Sequence, residues 1–279
     1  MWWIVVASLF SADPAPRLAT DDLPPGALVL VGGGGTTAEI RKKTLELAGG
    51  KRAKVAILAA ANPEYGQDSL ELWQAERPAQ VKLIDLQKPE GAKRILNEAD
   101  LIWFPGGLQG VFMNGLRGTG IEEVVRRRHR AGVTIAGTSA GAAVMSQMMI
   151  GGRSDLDSLK AGTAPYLMDG LGLWPTVIID QHFLQKGRFN RLALATIDHP
   201  HLVGIGIDEE TAVIVKGSAF EVIGNNNVTV IDAREASREV LTKGDAVAAR
   251  NLKVHVLRAG MTFDIEESTD SEESTDIEE

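Results

Sequence analysis

The sequence predicts an α/β fold with a mostly parallel sheet, helices on both of its faces, and an antiparallel hairpin extension toward the carboxyl terminus. Apolar runs alternate with amphipathic helical stretches from residue 28 to about residue 197, an order typical of parallel sheets. The apolar runs are continuous Val, Ile and Leu, as expected where both faces of a sheet are buried. After about residue 200 the runs are short and separated by Gly, Asn and Asp, which predicts hairpins.

Each element follows from this pattern in turn. The strands of the first part are predicted at Leu28–Val31, Val55–Ala59, Val81–Leu86, Leu101–Phe104, Val133–Ala136 and Thr176–Asp180. Helices are predicted near residues 38–48, 67–76, 91–97, 121–130, 140–149 and 187–197. The hairpin strands are predicted at Leu202–Ile207, Thr211–Val215, Phe220–Ile223, Val228–Asp232 and Val254–Leu257. Because no Pro- or Ser-rich linker separates the two parts, we predict a single α/β domain over residues 26–263.

The composition excludes several classes of site. Hydrophobic residues make up 44% of the chain and charged residues 24%, which is ordinary for a globular protein. The chain has no cysteine, so disulfide scaffolds, thiolate metal sites and cysteine nucleophiles are excluded together. Apolar runs stay below the roughly 18 to 20 residues that cross a bilayer, and we expect no membrane partner.

The formal net charge of -8 comes from the last residues of the sequence. Residues 264–279 hold nine acids and no Lys or Arg, and they repeat Glu-Glu-Ser-Thr-Asp, whereas the rest of the chain is nearly neutral. We predict a disordered acidic tail there; it serves either solubility or the recruitment of a basic partner. The basic run 126–130 closes a predicted helix, where cations are favoured. Since the body is neutral, we predict no nucleic-acid partner.

The first 25 residues form a separate segment with two interpretations. Residues 2–12 are an apolar run of signal-peptide length, but no Lys or Arg precedes them. The segment is therefore either a signal peptide or a short stretch packed on the domain. The localisation depends on the same choice: the protein is exported if the first 20 residues or so are a signal peptide that is removed, and cytoplasmic otherwise.

A candidate nucleophile lies at the end of the fifth predicted strand. Gly137-Thr138-Ser139-Ala140-Gly141 matches G-x-S-x-G between a predicted strand and a predicted helix, the context in which a serine is held on a sharp turn. The amide of Ala140, at the start of the helix, can donate to a developing oxyanion. A serine that merely occupies a tight turn is the alternative.

A second turn after a strand offers further backbone donors. Pro105-Gly106-Gly107 follows the strand that ends at Phe104, and Gln109 opens the next helix. Its glycine amides suit a second oxyanion donor, although a plain turn explains them as well. The run Gly32–Gly35 lacks the G-x-G-x-x-G spacing, so we predict no dinucleotide site.

A serine nucleophile needs a base, and His182 is the candidate. Among the five histidines, only His182 directly follows a buried-looking strand, in Asp180-Gln181-His182-Phe183. The orienting acid is sought between Ser139 and His182, at Asp155, Asp157 or Asp169, and spacing does not choose among them. Beyond the histidine lie Lys186, Arg188 and Arg191. Cations are disfavoured at a helix start, so they indicate either binding of carboxylates or a solvated helix face.

Taken together, these motifs resemble the cyanophycinase family and, more distantly, the aspartyl dipeptidases of the same serine-peptidase clan. The matching segments are 137–143, 105–109, 180–183 and Gly206-Ile207-Asp208-Glu209, within residues 28–235. The resemblance implies a fold like class I glutamine amidotransferases with serine in place of cysteine. It also implies cleavage of β-linked aspartyl-arginine polymer to dipeptides, with no metal or cofactor, by a homodimer.

The resemblance also implies roles for individual residues. Ser139 is the nucleophile, His182 the base and Asp157 the acid, where cyanophycinases more often have Glu. The oxyanion amides are those of Gly107 and Ala140, and the substrate pocket comprises Gln109, Asp180, Gln181, Lys186, Arg188 and Arg191. Two positions depart from the family: Leu108 replaces a common acid, and Lys186 replaces Arg and so loses bidentate carboxylate recognition.

The sequence therefore predicts a serine exopeptidase that hydrolyses β-aspartyl-arginine bonds of cyanophycin, or of a related aspartyl peptide, through an acyl-enzyme. Two alternatives stay open. One is a general aspartyl or isoaspartyl dipeptidase on the same fold. The other is a binding protein without turnover, which the presence of both Ser139 and His182 disfavours.

Overall fold

The computed structural model describes residues 24–151, 156–239 and 242–266. The segment before residue 24, Asp155, and residues 267–279 of the predicted acidic tail lie outside the described residues. The first residues of that predicted tail are ordered, since Asp264 ends a strand and Ile265 is buried. None of the helices in the described ranges has the length and apolar character needed to cross a membrane.

The described residues form strands and helices in an order close to the predicted one. The strands are β1 Leu28–Val31, β2 Lys54–Ile57, β3 Gln80–Leu83, β4 Leu101–Phe104, β5 Thr134–Thr138, β6 Met148–Ile150, β7 Leu167–Asp169, β8 Val177–Gln181, β9 Val203–Ile207, β10 Thr211–Lys216, β11 Ala219–Gly224, β12 Val228–Asp232, β13 Ser237–Arg238, β14 Ala249–Arg250, β15 Lys253–Leu257 and β16 Thr262–Asp264. The helices are α1 Ala38–Leu47, α2 Pro63–Ala75, α3 Pro89–Glu98, α4 Gln109–Leu116, α5 Ile121–Arg130, α6 Ala140–Ala143 and α7 Phe189–Asp198.

The largest sheet has eight strands in the order β16-β11-β10-β1-β5-β4-β2-β3. The five neighbouring strands β1, β5, β4, β2 and β3 pair in parallel. On the other side of β1, the strands β10, β11 and β16 extend the sheet through antiparallel pairs. The register aligns Val31 with Thr138 and Phe104 with Gly137. The carboxyl ends of β1, β4 and β5 therefore meet at one edge, where ligands of α/β sheets bind. The predicted fold class, a mostly parallel sheet with an antiparallel extension, is confirmed.

A second sheet has the order β15-β12-β9-β8, with β8 and β9 parallel and the other pairs antiparallel. The strand predicted at 176–180 was expected among the parallel strands of the first sheet. It lies in the second sheet because β10 already occupies the edge of β1 that β5 leaves free. Two short ribbons, β6 with β7 and β13 with β14, complete the sheets.

The helix predicted over 140–149 ends at Ala143. The carbonyls of residues 144–147 instead accept hydrogen bonds from the amides of residues 170–173. These long-range bonds satisfy the backbone groups that a longer helix would have used. Tertiary pairing thus overrides the local helical pattern.

Helices cover both faces of the large sheet. One hydrophobic cluster packs Ile40 of α1 and Trp73 of α2 against one face. A larger cluster packs α3, α4 and α5 against the other face and also includes Ile179 of β8 and Ile205 of β9. Burial of each Ile or Leu side chain stabilises the folded state by about 1.5 to 3 kcal/mol. Because the larger cluster draws on both sheets, it favours the predicted single domain.

Candidate active site

Ser139 stands on a strained turn between β5 and α6. Its backbone has φ 53° and ψ -118°, a region that L-residues rarely adopt. The flanking glycines are required by space: a Cβ at Gly137 would lie 2.5 Å from the Gly141 oxygen, and one at Gly141 would lie 2.1 Å from the Phe104 oxygen. The amide of Ser139 donates to the Val31 carbonyl at 2.9 Å. The turn is thereby tied to β1.

His182 follows β8 and reaches the serine from the second sheet. Its Nε2 lies 2.8 Å from Ser139 Oγ. The backbone of His182 has a positive φ of 49°, and its amide donates to the Gly32 carbonyl at 2.7 Å. The two residues that the sequence pairs as nucleophile and base are therefore in hydrogen-bond contact.

The acid beside the histidine is Glu209, which the sequence reasoning did not select. Glu209 Oε1 lies 2.6 Å from His182 Nδ1. A carboxylate can only accept, so Nδ1 carries the proton and Nε2 is left to accept from the serine hydroxyl. The expected acid, Asp157, is corrected: it lies exposed on the loop after residue 155, and Glu209 holds the ring nitrogen in its place.

A topological signal points to Glu209. β8 and β9 are parallel neighbours, with Gln181 opposite Ile207. The residues just past the end of β9, Asp208 and Glu209, therefore lie near His182, just past the end of β8. The order predicted from the sequence is serine, acid, histidine, whereas in the structure the acid follows both in the chain.

The pKa of the His182 imidazole is lowered, first by burial in the site. The hydrogen bond and charge of Glu209 oppose this shift, while the cations Lys186 and Arg188 add to it. A lowered pKa keeps the imidazole neutral near pH 7, which is the form that can accept a proton from serine.

Ser139 and His182 open onto a cavity of about 1010 Å³. Among the residues predicted for the site, those that line the cavity are Ser139, His182, Gly107, Gln109, Gln181, Lys186 and Arg188. Ala140, Asp157, Asp180 and Arg191 are not among its lining residues. The Nε2 of Gln109 donates to the Ile150 carbonyl at 2.6 Å, which fixes that side chain at the wall.

Two backbone amides near the serine are available as donors. Within the described part of the chain, neither the Gly107 amide nor the Ala140 amide is taken up by a protein acceptor. Ala140 opens α6, where first-turn amides have no partner in the helix. Gly107 has φ +132°, and a Cβ there would lie 2.6 Å from the Cβ of Ala61. Glycine is therefore needed at position 107.

Asp180 and Arg191 do not face the cavity but pair with each other beneath it. Asp180 is 1% exposed and Arg191 2%. Arg191 Nε donates to Asp180 Oδ2 at 2.6 Å, and a second guanidinium nitrogen contacts Oδ1. Direct substrate contacts, as the sequence predicted for both, are corrected to a buried ion pair that joins β8 to α7.

Arg188 lies between this pair and the cavity. Its Nη1 donates to the backbone carbonyl and to the side-chain oxygen of Gln181, and lies 3.5 Å from Asp180 Oδ1. These contacts orient the guanidinium at the cavity wall. Lys186 is exposed at the same wall.

Comparison with known proteins assigns the chain to a family. The model of peptidase family S51 matches residues 28–223. The chain belongs to this family. A cyanophycinase from Geminocystis herdmanii is 34% identical over 235 residues, which span 80% of this chain and 86% of that one. A cyanophycinase from Nostoc sp. is 32% identical over 244 residues, 83% and 82% of the two chains.

Two further likenesses are more distant. A peptidase E from Pasteurella multocida is 25% identical over 188 residues, 64% of this chain and 77% of that one. The crystal structure of a peptidase from an acI-B1 Actinobacterium superposes with a TM-score of 0.61 at 23% identity, covering 86% of this chain and 97% of that one. The second likeness shows the shared fold. As a member of S51, the protein is a serine-type peptidase.

Proposed function

We propose that the protein is a serine exopeptidase that hydrolyses aspartyl peptides of the cyanophycin type through an acyl-enzyme, with Ser139, His182 and Glu209 as its catalytic residues. The observation that carries the proposal is the continuous contact from Glu209 to His182 to Ser139, at 2.6 and 2.8 Å. Similarity to cyanophycinases supports the choice of substrate.

The proposed reaction follows from the positions of these groups. As Ser139 Oγ attacks the scissile carbonyl carbon, its proton passes to His182 Nε2, and Glu209 stabilises the imidazolium. The carbonyl oxygen becomes an oxyanion, which accepts hydrogen bonds from the amides of Gly107 and Ala140. When the carbon–nitrogen bond breaks, His182 returns the proton to the leaving amine. Water then hydrolyses the ester to Ser139, with His182 again as base.

The substrate preference is proposed from the cations on the wall beside His182. A β-linked aspartyl-arginine polymer carries a free carboxylate on each arginine, and Lys186 and Arg188 line the cavity. Arg188 is oriented by Gln181, which prepares its guanidinium to donate to a carboxylate. Removing one such charge-assisted bond, by Arg188→Gln, costs about 1.5 to 3 kcal/mol. That loss should raise KM.

The decisive experiment is incubation of the protein with cyanophycin, with release of β-aspartyl-arginine as readout. Ser139→Ala and His182→Ala should each abolish release, and the double variant should be little worse than either one, because the two residues act as a unit. Additive losses would contradict the shared role. Hydrolysis of short α-aspartyl peptides without release from the polymer would favour the aspartyl dipeptidase alternative. The homodimer implied by the resemblance is tested by sedimentation velocity.

A further inference from the structure

Helix α2 forms one wall of the cavity and carries two side chains that the proposed reaction does not use. Tyr65 and Asp68 both line the cavity. They are three residues apart on α2, so they share one face of the helix. The ring of Tyr65 borders the turn next to the serine: a Cβ placed on Gly106 would lie 3.6 Å from Ser139 Cβ and 4.0 Å from Tyr65 Cδ2.

Asp68 brings a negative charge to a cavity whose other charges are cationic. Among the described residues that line it, Asp68 is the sole carboxylate, while Lys186 and Arg188 lie on the side of His182. The Asp68 carboxylate is exposed, and within the described ranges it has no hydrogen-bond or ion-pair partner. The cavity is therefore polarised, with cations beside the histidine and an anion on α2.

A structural role does not account for this carboxylate. In α2 the acid that favours the helix dipole is Glu64, in the first turn, and Asp68 lies a full turn further on. The helix is held in place by other groups. Trp73 is fully buried against Trp103 with ring centroids 5.2 Å apart, and Trp103 Nε1 donates to Ser69 Oγ at 3.1 Å. The carboxylate beside Ser69 is thus presented to the cavity by a fixed helix.

We propose that Asp68 and Tyr65 form a subsite for a guanidinium-bearing side chain of the substrate. The inference rests on the proposed function, in which the substrate carries arginine. A carboxylate accepts two parallel hydrogen bonds from a guanidinium. Tyr65 is 45% exposed as a residue, and its ring offers a face over which the cation can stack. The two walls then recognise the two charges of a β-linked arginine: Lys186 and Arg188 its carboxylate, and Asp68 its guanidinium.

The test measures binding separately from turnover. On the Ser139→Ala background, calorimetry compares β-aspartyl-arginine with β-aspartyl-citrulline, which has nearly the same shape and no charge. We expect the arginine compound to bind at least about ten-fold more tightly, as for a charge-assisted pair. Adding Asp68→Asn should bring the two affinities to within about two-fold by weakening only the arginine compound. Adding Glu71→Gln, an exposed acid on the same helix outside the cavity lining, should leave the preference intact.

Two results would overturn the subsite. One is equal affinity for the two compounds before Asp68 is changed. The other is an arginine preference that survives Asp68→Asn. Failure of the proposed function has a different signature, because it would appear as absence of β-aspartyl-arginine release by the unsubstituted protein, whatever the calorimetry shows.

Discussion

Replacing Glu209 by Gln is the change that tests most directly how the catalytic residues are arranged. The substitution keeps the shape of the side chain and removes the charge that faces the imidazolium in the transition state. A hydrogen bond to a charged group is worth about 1.5 to 3 kcal/mol, and about 1.36 kcal/mol of activation free energy is a factor of ten in rate. The 2.6 Å contact therefore predicts a fall in kcat of about 10- to 150-fold.

The partial exposure of Glu209 limits this magnitude. The Glu209 side chain is 33% exposed, so water compensates part of the lost charge. A larger fall, toward about 10⁴-fold, would indicate that the amide has also imposed the wrong imidazole tautomer, as in the buried acid of the chymotrypsin triad. Because Glu209 raises the His182 pKa, its removal should also move the acidic limb of the pH profile to lower pH.

The assay is steady-state hydrolysis of an aspartyl peptide across a range of pH, with near-ultraviolet circular dichroism to confirm the fold. Asp157→Asn is the matched control, since Asp157 is exposed and outside the cavity lining, and it should retain wild-type kcat. A damaging Asp157→Asn together with a neutral Glu209→Gln would refute the assignment of Glu209.

Three further changes probe other parts of the site. Lys186→Gln removes a cation that lowers the His182 pKa; the imidazole then protonates more readily, so the acidic limb of kcat/KM should move to higher pH, and a downward shift would contradict the sign. Arg191→Gln replaces the close ion pair of the buried Asp180 carboxylate by its longer 3.5 Å contact to Arg188. The free energy of unfolding should therefore fall, toward the lower end of about 3 to 5 kcal/mol, in urea titrations. A variant of unchanged stability with a raised KM would instead indicate that Arg191 contacts the substrate. Gly33→Ala places a Cβ 2.3 Å from His182 Cε1 at a backbone φ of +99°, so kcat should fall sharply, and unchanged kcat would show that the ring can move aside.

The predicted strands that agree best with the structure are those buried on both faces. Leu28–Val31 and Leu101–Phe104 have the predicted bounds, because a short apolar run bounded by a turn has few other solutions in an α/β chain. The helix after Ser139 was predicted too long. Its apolar pattern fits a helix, but the carbonyls of residues 144–147 bond to a segment more than 20 residues away, and local propensity carries no signal of such a partner.

The same limit explains what the sequence reasoning missed at the site. Ser139 and His182 each directly follow the last residue of a strand, so the motif and the strand pattern together identify them as candidates. The acid depends on which strand lies beside β8, and β8 pairs with β9 in a sheet that the alternating pattern did not separate from the first. Likewise, Asp180 and Arg191 are both charged and close to the histidine in sequence, and only the structure shows that they neutralise each other.

The catalytic residues are held in register by one short stretch of backbone at the end of β1 and just beyond it, Val31 to Gly33. The carbonyl of Val31 accepts from the Ser139 amide, and that of Gly32 accepts from the His182 amide at 2.7 Å. The carbonyl of Gly33 accepts from residue 210, next to Glu209, at 2.8 Å. Because these bonds join main-chain groups, their geometry does not depend on the side chains that line the rest of the cavity. Substitutions on the cavity walls, such as those at positions 68, 108 and 186, can therefore change which peptide binds while the contacts among serine, histidine and glutamate stay the same.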